Sequence, residues 1–253
     1  MQISAVIITF NEEAKIADAL RSVAWADEIL VIDSNSADRT VEIARAMNAK
    51  VIVRDWPGFS EQKQFGSDSA THDWIFSLDA DERVTPKLQT EIEAIKNHAD
   101  ILDGYATPRL SIYMGREIRH SGWHPDRQLR FFNRRKGSWN RRPIHESVIM
   151  HDGATTGKLH GEILHYSVDS AAHHHKMIGE RYAPLAAKHM FDNGRRTTAI
   201  GTAIAGPAAF IRSYILKAGF LDGFPGFCIA AFAAYHSYLK HLMLWELQNA
   251  KLK

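Results

Sequence analysis

The first hundred residues alternate between apolar runs and amphipathic stretches, and this alternation constrains the fold more than any other feature of the chain. The run "ISAVIITF" (3–10) is continuously apolar and rich in β-branched residues, which is typical of a central strand buried on both faces. Similar runs follow at "EILVID" (28–33), "KVIVRDW" (50–56) and "DWIFSLDAD" (73–81), with helical spacing between them. Strands that alternate with helices predict an α/β fold with a parallel sheet and right-handed crossovers.

The intervening stretches predict four helices, and two of them carry recognisable starting residues. Asn11 is the expected cap of the first helix, and Thr85 with Pro86 provides a cap and a first-turn proline for the last. The predicted helices are "EEAKIADALRSVAWA" (12–26), "SADRTVEIARAMNA" (36–49), "SEQKQFGSDSA" (60–70) and "KLQTEIEAIKNH" (87–98).

The pattern changes after residue 100, where hairpin-like strands predict a mixed sheet. The expected strands are "GYATPRLSIYMG" (104–115), "QLRFFN" (128–133), "SWNRRPIHESVIM" (138–150) and "EILHYSV" (162–168). A long helix is expected from about residue 169 to 193, closed by Gly194. We therefore expect a sheet domain over 1–168 and a helical C-terminal region over 169–253.

Composition narrows the class of protein. Lys and Arg total 31 against 29 Asp and Glu, which is too balanced to favour nucleic acid as the main partner. One cysteine, Cys228, excludes an internal disulfide and fits a reducing compartment. The N-terminus has no signal-peptide pattern, and no stretch reaches the roughly 20 uninterrupted apolar residues of a spanning helix. A cytoplasmic location is expected.

Acidic residues gather where the predicted strands end. In open α/β sheets ligands bind beyond the carboxyl ends of the strands, which places residues 9–13, 33–36 and 79–82 along one rim. Asp79 and Asp81 would project to the same side of an extended segment, and paired carboxylates suit Mg²⁺ or Mn²⁺. For an isolated pair of this kind the alternative is a solvated turn with helix-capping acids. The rim has neither of the common glycine-rich phosphate loops.

Three motifs together resemble the GT-A-fold glycosyltransferases of family 2. They are "VIITFNEE" (6–13), "ILVIDSNSADRT" (29–40) and "FSLDADE" (76–82), in order and at typical spacing. The later stretches "GWHPDRQLRFF" (122–132) and "RRPIHES" (141–147) look like the branch that includes WaaE/KdtX-type lipopolysaccharide core glucosyltransferases. The resemblance implies a GT-A fold and transfer of a sugar, such as glucose, from a UDP-sugar donor to a glycolipid or oligosaccharide acceptor.

The resemblance also implies site residues. Thr9, Asn11, Glu13 and Asp33 would contact the nucleotide, although the family usually has a second acid beside Asp33. The implied ligands of a divalent metal, Mg²⁺ or Mn²⁺, are Asp79, Asp81 and His165.

Glu146 falls where the inverting branch carries its catalytic base, and a carboxylate there can take the proton of an acceptor hydroxyl. Its alternative is a surface salt bridge to Arg141 or Arg142, and Asp126 is its rival for the base role. A basic run favours phosphorylated acceptors or the donor diphosphate, the alternative being a solvated face. Its members are Arg127, Arg130, Arg134, Arg135, Arg141 and Arg142.

Other functions stay open at this point. A sugar-phosphate nucleotidyltransferase would need a glycine-rich N-terminal loop, whereas "TFNEE" (9–13) is acidic and has no glycine. A nucleotide-sugar-binding protein without catalysis is the non-enzymatic alternative. The apolar C-terminal stretch predicts either a packed helical hairpin or an in-plane contact with the inner face of the cell membrane.

Overall fold

A computed structural model describes residues 1–98, 100–142 and 146–250 of the chain. The chain forms two compact units, Met1–Arg109 with Asp126–His165, and Leu110–Pro125 with Tyr166–Lys253. The second unit therefore includes residues 110–125, which the sequence placed in the sheet domain. The first unit ends at His165, three residues before the expected boundary at residue 168.

Twelve strands and eight α-helices make up the described chain. The strands are β1 (Ile3–Thr9), β2 (Glu28–Asp33), β3 (Lys50–Val53), β4 (Trp74–Asp79), β5 (Glu82–Val84), β6 (Gly104–Tyr113), β7 (Arg116–Glu117), β8 (Asp126–Asn133), β9 (Gly137–Trp139), β10 (Val148–Met150), β11 (Thr156–Lys158) and β12 (Ile163–Val168). The helices are α1 (Ile16–Ser22), α2 (Thr40–Ala46), α3 (Phe59–Ser69), α4 (Pro86–Lys96), α5 (Ala171–Lys176), α6 (Ala183–Asp192), α7 (Ala199–Ile211) and α8 (Gly223–Asn249).

The first unit is built on a mixed sheet with the strand order β3-β2-β1-β4-β8-β6-β12-β5. Strands β3, β2, β1 and β4 are parallel, and β8 joins β4 in the antiparallel sense. All seven residues of β1 are buried, because its neighbours and the helices cover both faces. The predicted α/β fold, a mixed and mainly parallel sheet with flanking helices and a helical C-terminal region, is confirmed.

Helix α3 lies close against this sheet because of one glycine. A β-carbon on Gly66 would come within 2.5 Å of Val6 Cγ1 on β1, so a larger residue would push the helix away. Lys63 precedes Gly66 by three residues and therefore shares its helix face. Its side chain is only 2% exposed.

Two local predictions are wrong, and a third is confirmed with a difference in helix type. Asn11 does not cap α1, since its Oδ1 accepts a hydrogen bond from Ala37 N at 2.8 Å and α1 begins only at Ile16. The single strand expected over 138–150 is instead a hairpin in which β9 and β10 pair, and residues 143–145 lie outside the described residues. The long helix expected over 169–193 runs from Ala171 to Asp192 with a π-helical segment at Met177–Tyr182.

The second unit is mainly helical. Helix α7 continues through a π-helical turn (Arg212–Leu216) and a 3-10 turn (Gly219–Asp222) into the 27-residue α8. Antiparallel packing of α7 on α8 follows from Thr197 bonding Gln248 at one end and Phe210 contacting Phe227 at the other. Among the described residues, one helical stretch, Ala199–Leu216, is long and apolar enough to cross a membrane, a test that core helices also pass.

Candidate active site

The strand register brings the predicted rim residues to one end of the sheet. Thr9 at the end of β1 pairs with Asp33 at the end of β2, and Ile8 pairs with Asp79 at the end of β4. Parallel strands end on the same side, so these acids share one edge. The sequence prediction that they lie along one rim is confirmed by this register.

Lys63 links two of the predicted site carboxylates. Its Nζ lies 2.9 Å from Asp79 Oδ1 and 3.4 Å from Glu146 Oε1. The lysine is buried, whereas the Glu146 side chain is 25% exposed. A buried ammonium needs carboxylate partners, and these two supply them.

Arg130 on β8 adds a second buried cation. Its Nη2 donates to Asp79 Oδ2 at 3.1 Å and to Glu82 Oε1 at 2.9 Å. Glu82 is fully buried and also accepts a hydrogen bond from the Asp79 backbone N–H at 2.9 Å. The Nε and Nη1 groups of Arg130 are buried and have no hydrogen-bond partner among the described residues.

Arg109 on β6 extends the network to Asp126. Its Nη1 donates to Glu82 Oε1 at 3.3 Å, while Nε and Nη2 donate to Asp126 Oδ2 at 2.9 and 2.6 Å. Gln128 donates to the other oxygen of Asp126 at 2.7 Å. A chain of alternating charges thus joins the two candidate bases. It runs Glu146, Lys63, Asp79, Arg130, Glu82, Arg109, Asp126.

These contacts lower the pKa of two of the carboxylates, those of Asp79 and Asp126. Burial alone would raise the pKa of Asp79, but the charges of Lys63 and Arg130 hold it well below its ordinary value. Burial alone would also raise the pKa of Asp126. The charge of Arg109, with the hydrogen bonds from Gln128 and Arg109, lowers that pKa by more. Arg130 is buried as well, yet Glu82 and Asp79 raise its pKa above the ordinary value.

Asp81 has a different partner from Asp79. His165 Nε2 on β12 lies 3.4 Å from Asp81 Oδ2. Burial raises the pKa of Asp81, and the hydrogen bond and charge of His165 lower it by more. The predicted metal ligands are therefore split, with Asp81 beside His165 and Asp79 held by two cations. No cluster of three or more His, Cys, Asp or Glu side chains suited to a metal occurs within the described part of the chain.

The residues expected to contact a nucleotide mostly hold the loops after β1 and β2 together. Both carboxylate oxygens of Asp33 accept hydrogen bonds from Ser36, and Asp33 is fully buried. Asn11 N donates to Ser36 Oγ at 2.8 Å, and Glu13 Oε2 accepts from Arg39 N at 3.1 Å. Thr9 Oγ1 is buried without a hydrogen-bond partner among the described residues.

The predicted basic run does not form one face. Arg130 reaches the site carboxylates, whereas Arg127 donates to the Leu159 carbonyl and Arg135 pairs with Asp73. Lys63 and Arg109 were not among the predicted site residues. A lysine in a polar helix and an arginine in a strand look like ordinary surface residues, so the sequence pattern does not single them out.

The amino-acid sequence places the chain in glycosyl transferase family 2. The sequence profile of that family matches residues 4–153, which is more than half of the chain. The chain is therefore a glycosyltransferase of this family, as the three N-terminal motifs predicted. Membership also sets aside the nucleotidyltransferase alternative.

Several relatives match over nearly the whole chain. An uncharacterized glycosyltransferase of Rickettsia typhi is 32% identical over 97% of this chain and 87% of its own length. The lipopolysaccharide core biosynthesis glycosyltransferase LpsC of Rhizobium meliloti is 24% identical over 100% of this chain and 95% of its own. The similarity to LpsC thus extends beyond the residues that the family profile matches.

Among solved structures, glucosyl-3-phosphoglycerate synthase from Mycobacterium tuberculosis is similar over a smaller part. It is 22% identical, covers 44% of each chain and has a TM-score of 0.35.

Proposed function

We propose that this glycosyltransferase moves a hexose, with glucose as the first candidate, from a UDP-sugar to a hydroxyl of a lipopolysaccharide-core or other lipid-linked glycan. Family membership supports the reaction class, and the whole-length similarity to LpsC supports the acceptor class. The resemblance of the N-terminal motifs to UDP-sugar enzymes supports the donor. The transfer inverts the anomeric configuration, because one in-line displacement with one base does so.

Glu146 is the proposed base. Its carboxylate is partly exposed and contacts Lys63 at 3.4 Å, so it can approach an acceptor hydroxyl. The hydroxyl proton passes to Glu146 as the oxygen attacks the anomeric carbon, and the bond from that carbon to the diphosphate breaks. Asp126 differs in that both of its oxygens accept hydrogen bonds, one from Arg109 and the other from Gln128. This difference between the two acids is the single observation that carries the assignment.

Asp81 and His165 are the proposed metal ligands. A carboxylate oxygen and an imidazole nitrogen lying 3.4 Å apart would suit a divalent cation such as Mg²⁺ or Mn²⁺. Such a cation, when bound, neutralises charge on the leaving diphosphate. Asp79 is left out of the ligand set, because Lys63 and Arg130 already compensate its charge.

Arg130 and Thr9 are the proposed donor contacts. The unpaired Nε and Nη1 groups of Arg130 are donors suited to an oxyanion, and an arginine binds phosphate oxygens well. Thr9 Oγ1 lies at the carboxyl end of β1 and is free to bond a nucleotide. Asn11, Glu13 and Asp33 act by holding the surrounding loops in place.

A donor screen tests the proposal. Purified chain is incubated with UDP-, GDP- and CMP-sugars and Mn²⁺, and binding is measured by calorimetry with release of the nucleotide as a second readout. Binding and slow hydrolysis of a UDP-sugar are expected in the wild type. Glu146→Gln should bind the donor and lose transfer, while Glu61→Gln, an exposed change on α3, should behave as wild type.

Two outcomes would overturn it. Selective binding of GDP- or CMP-sugars would show that UDP-sugars are not the donors. Donor binding without hydrolysis, and without transfer to any lipopolysaccharide-core acceptor, would favour the nucleotide-sugar-binding protein.

A further inference from the structure

The turn between α7 and α8 presents an apolar surface to solvent. We define the hairpin tip as residues 211–227, which include the end of α7, both irregular turns and the start of α8. Leu216 is 76% exposed and Phe224 is 67% exposed. The exposed large apolar side chains of the tip are Ile211, Ile215, Leu216, Phe220, Leu221, Phe224 and Phe227.

The tip is a built structure, not a loose turn. A β-carbon on Gly226 would come within 1.9 Å of the Gly219 carbonyl oxygen, so the 3-10 turn packs directly on α8. Tyr214 from the π-helical turn contacts Phe227 from α8, with their ring centroids 5.9 Å apart. The apolar side chains are therefore held outward by packed backbone.

The exposed charges on the tip are all positive. Arg212 and Lys217 are exposed, and the Arg116 guanidinium lies beside Gly223, where a β-carbon would meet its Nη1 at 3.1 Å. The acid within the tip, Asp222, is buried and accepts hydrogen bonds from the backbone N–H and Nδ1 of His120, at 2.9 and 2.8 Å. Solvent thus meets large apolar groups and cations on this surface.

We infer that the hairpin tip inserts its apolar side chains into the interface of an anionic lipid bilayer. Aromatic and aliphatic side chains flanked by arginine and lysine match that environment, in which cations meet lipid phosphates while apolar groups enter the acyl boundary. A second copy of the chain fits less well, because a symmetric contact would bring Arg212 and Lys217 against the same cations. This inference deepens the proposed function by naming the surface that meets a lipid-linked acceptor.

Vesicle flotation with the full chain tests the inference. The probes are phosphatidylcholine vesicles with and without phosphatidylglycerol. The wild type should float with the anionic vesicles, and added salt should weaken flotation because it screens the cations. Leu221→Ser with Phe224→Ser should reduce the bound fraction at least about tenfold, since two large apolar groups no longer leave water.

A matched control uses two large apolar side chains that are exposed outside the tip. Ile149→Ser with Leu185→Ser should float as the wild type does, since these side chains are 52% and 50% exposed elsewhere in the chain. Arg212→Gln with Lys217→Gln should weaken the preference for phosphatidylglycerol, since the Arg116 cation remains beside the tip. Circular dichroism checks that each variant folds. If the apolar variant does not fold, the charge variant still tests the surface.

The results that would contradict the membrane inference differ from those that would contradict the proposed function. Absence of wild-type flotation, or undiminished flotation of the Leu221/Phe224 variant, overturns the membrane inference. A dimer that the same variant disrupts, seen by light scattering, assigns the tip to a second copy instead. Hydrolysis of a UDP-sugar without vesicles should be equal in all variants, so loss of flotation with intact hydrolysis leaves the enzymatic proposal standing.

Discussion

Glu146 and Asp126, the two candidate bases, lie at opposite ends of one chain of alternating carboxylates and cations. Glu146 contacts only the terminal Nζ of Lys63 within that chain, at 3.4 Å, whereas Asp126 is held by Arg109 at 2.6 Å and by Gln128 at 2.7 Å. A carboxylate whose two oxygens accept strong hydrogen bonds is a weak proton acceptor. The geometry therefore separates two acids that the sequence left as rivals.

Replacing Glu146, the proposed base, should slow transfer strongly without weakening donor binding. Glu146→Gln keeps the size of the side chain but cannot accept the proton, so the transfer rate should fall by about 10²–10⁴-fold while UDP-sugar affinity is retained. Rates are measured with the full chain and a lipopolysaccharide-core acceptor, and affinity by calorimetry. Asp126→Asn should have a smaller effect on the chemical step. An inactive Asp126 variant beside a near-normal Glu146 variant would reverse the assignment.

Removing Lys63 should destabilise the first unit. Lys63→Met leaves Asp79 and Glu146 without their shared cation, and breaking a buried ion pair typically costs about 3–5 kcal/mol. The free energy of unfolding is measured by urea titration. Lys87→Met, at an exposed position on α4, is the control and should change stability little. Equal stability of the two variants would show that Lys63 is not needed to compensate these acids.

The two aspartates of the "DAD" motif should respond differently to mutation. Asp81→Ala should abolish the Mn²⁺ dependence of UDP binding, because it removes the carboxylate beside His165. Asp79→Ala should weaken binding less and lower stability more, since Lys63 and Arg130 lose their partner. Calorimetry with and without Mn²⁺, combined with thermal unfolding, separates these effects. Unchanged metal dependence in the Asp81 variant contradicts the ligand assignment.

The second unit should lose stability in mild acid through His174. Burial, together with the neighbouring His173 and His236, lowers the pKa of His174 from 6.5 to about 4. Between these values the unfolded chain binds a proton that the folded chain does not. Stability from this group is therefore complete above pH 6.5 and falls as the pH drops toward 4, by about 1–3 kcal/mol.

A variant that cannot titrate isolates this contribution. Tyr113 Oη lies 3.1 Å from His174 Nδ1, and His174→Asn can keep a partner for that hydroxyl. Unfolding free energies of wild type and variant are compared between pH 4 and 7. The difference should shrink or reverse at low pH, whereas His175→Asn, at an exposed site on the same helix, should follow the wild type. Parallel curves for His174→Asn and the wild type would argue against the buried neutral histidine.

Local sequence patterns determined most of the sheet and much of the site. Continuous β-branched runs predicted β1 and β2 because strands buried on both faces need apolar side chains throughout. The same strand ends predicted the rim, since parallel strands finish on one edge. Thr85 and Pro86 marked the start of α4 through a side-chain cap that the structure contains.

Tertiary structure alone decided how the charges pair. Lys63, Arg109 and Arg130 come from α3, β6 and β8, and nothing in the spacing of those residues tells that they meet Asp79, Glu82 and Asp126. The reason is physical: an ion pair forms between side chains that the fold brings within a few ångströms, while sequence periodicity reports only which face of an element a residue occupies. The sequence shows where the acids of the motifs are. Packing alone determines which of these acids pair with cations.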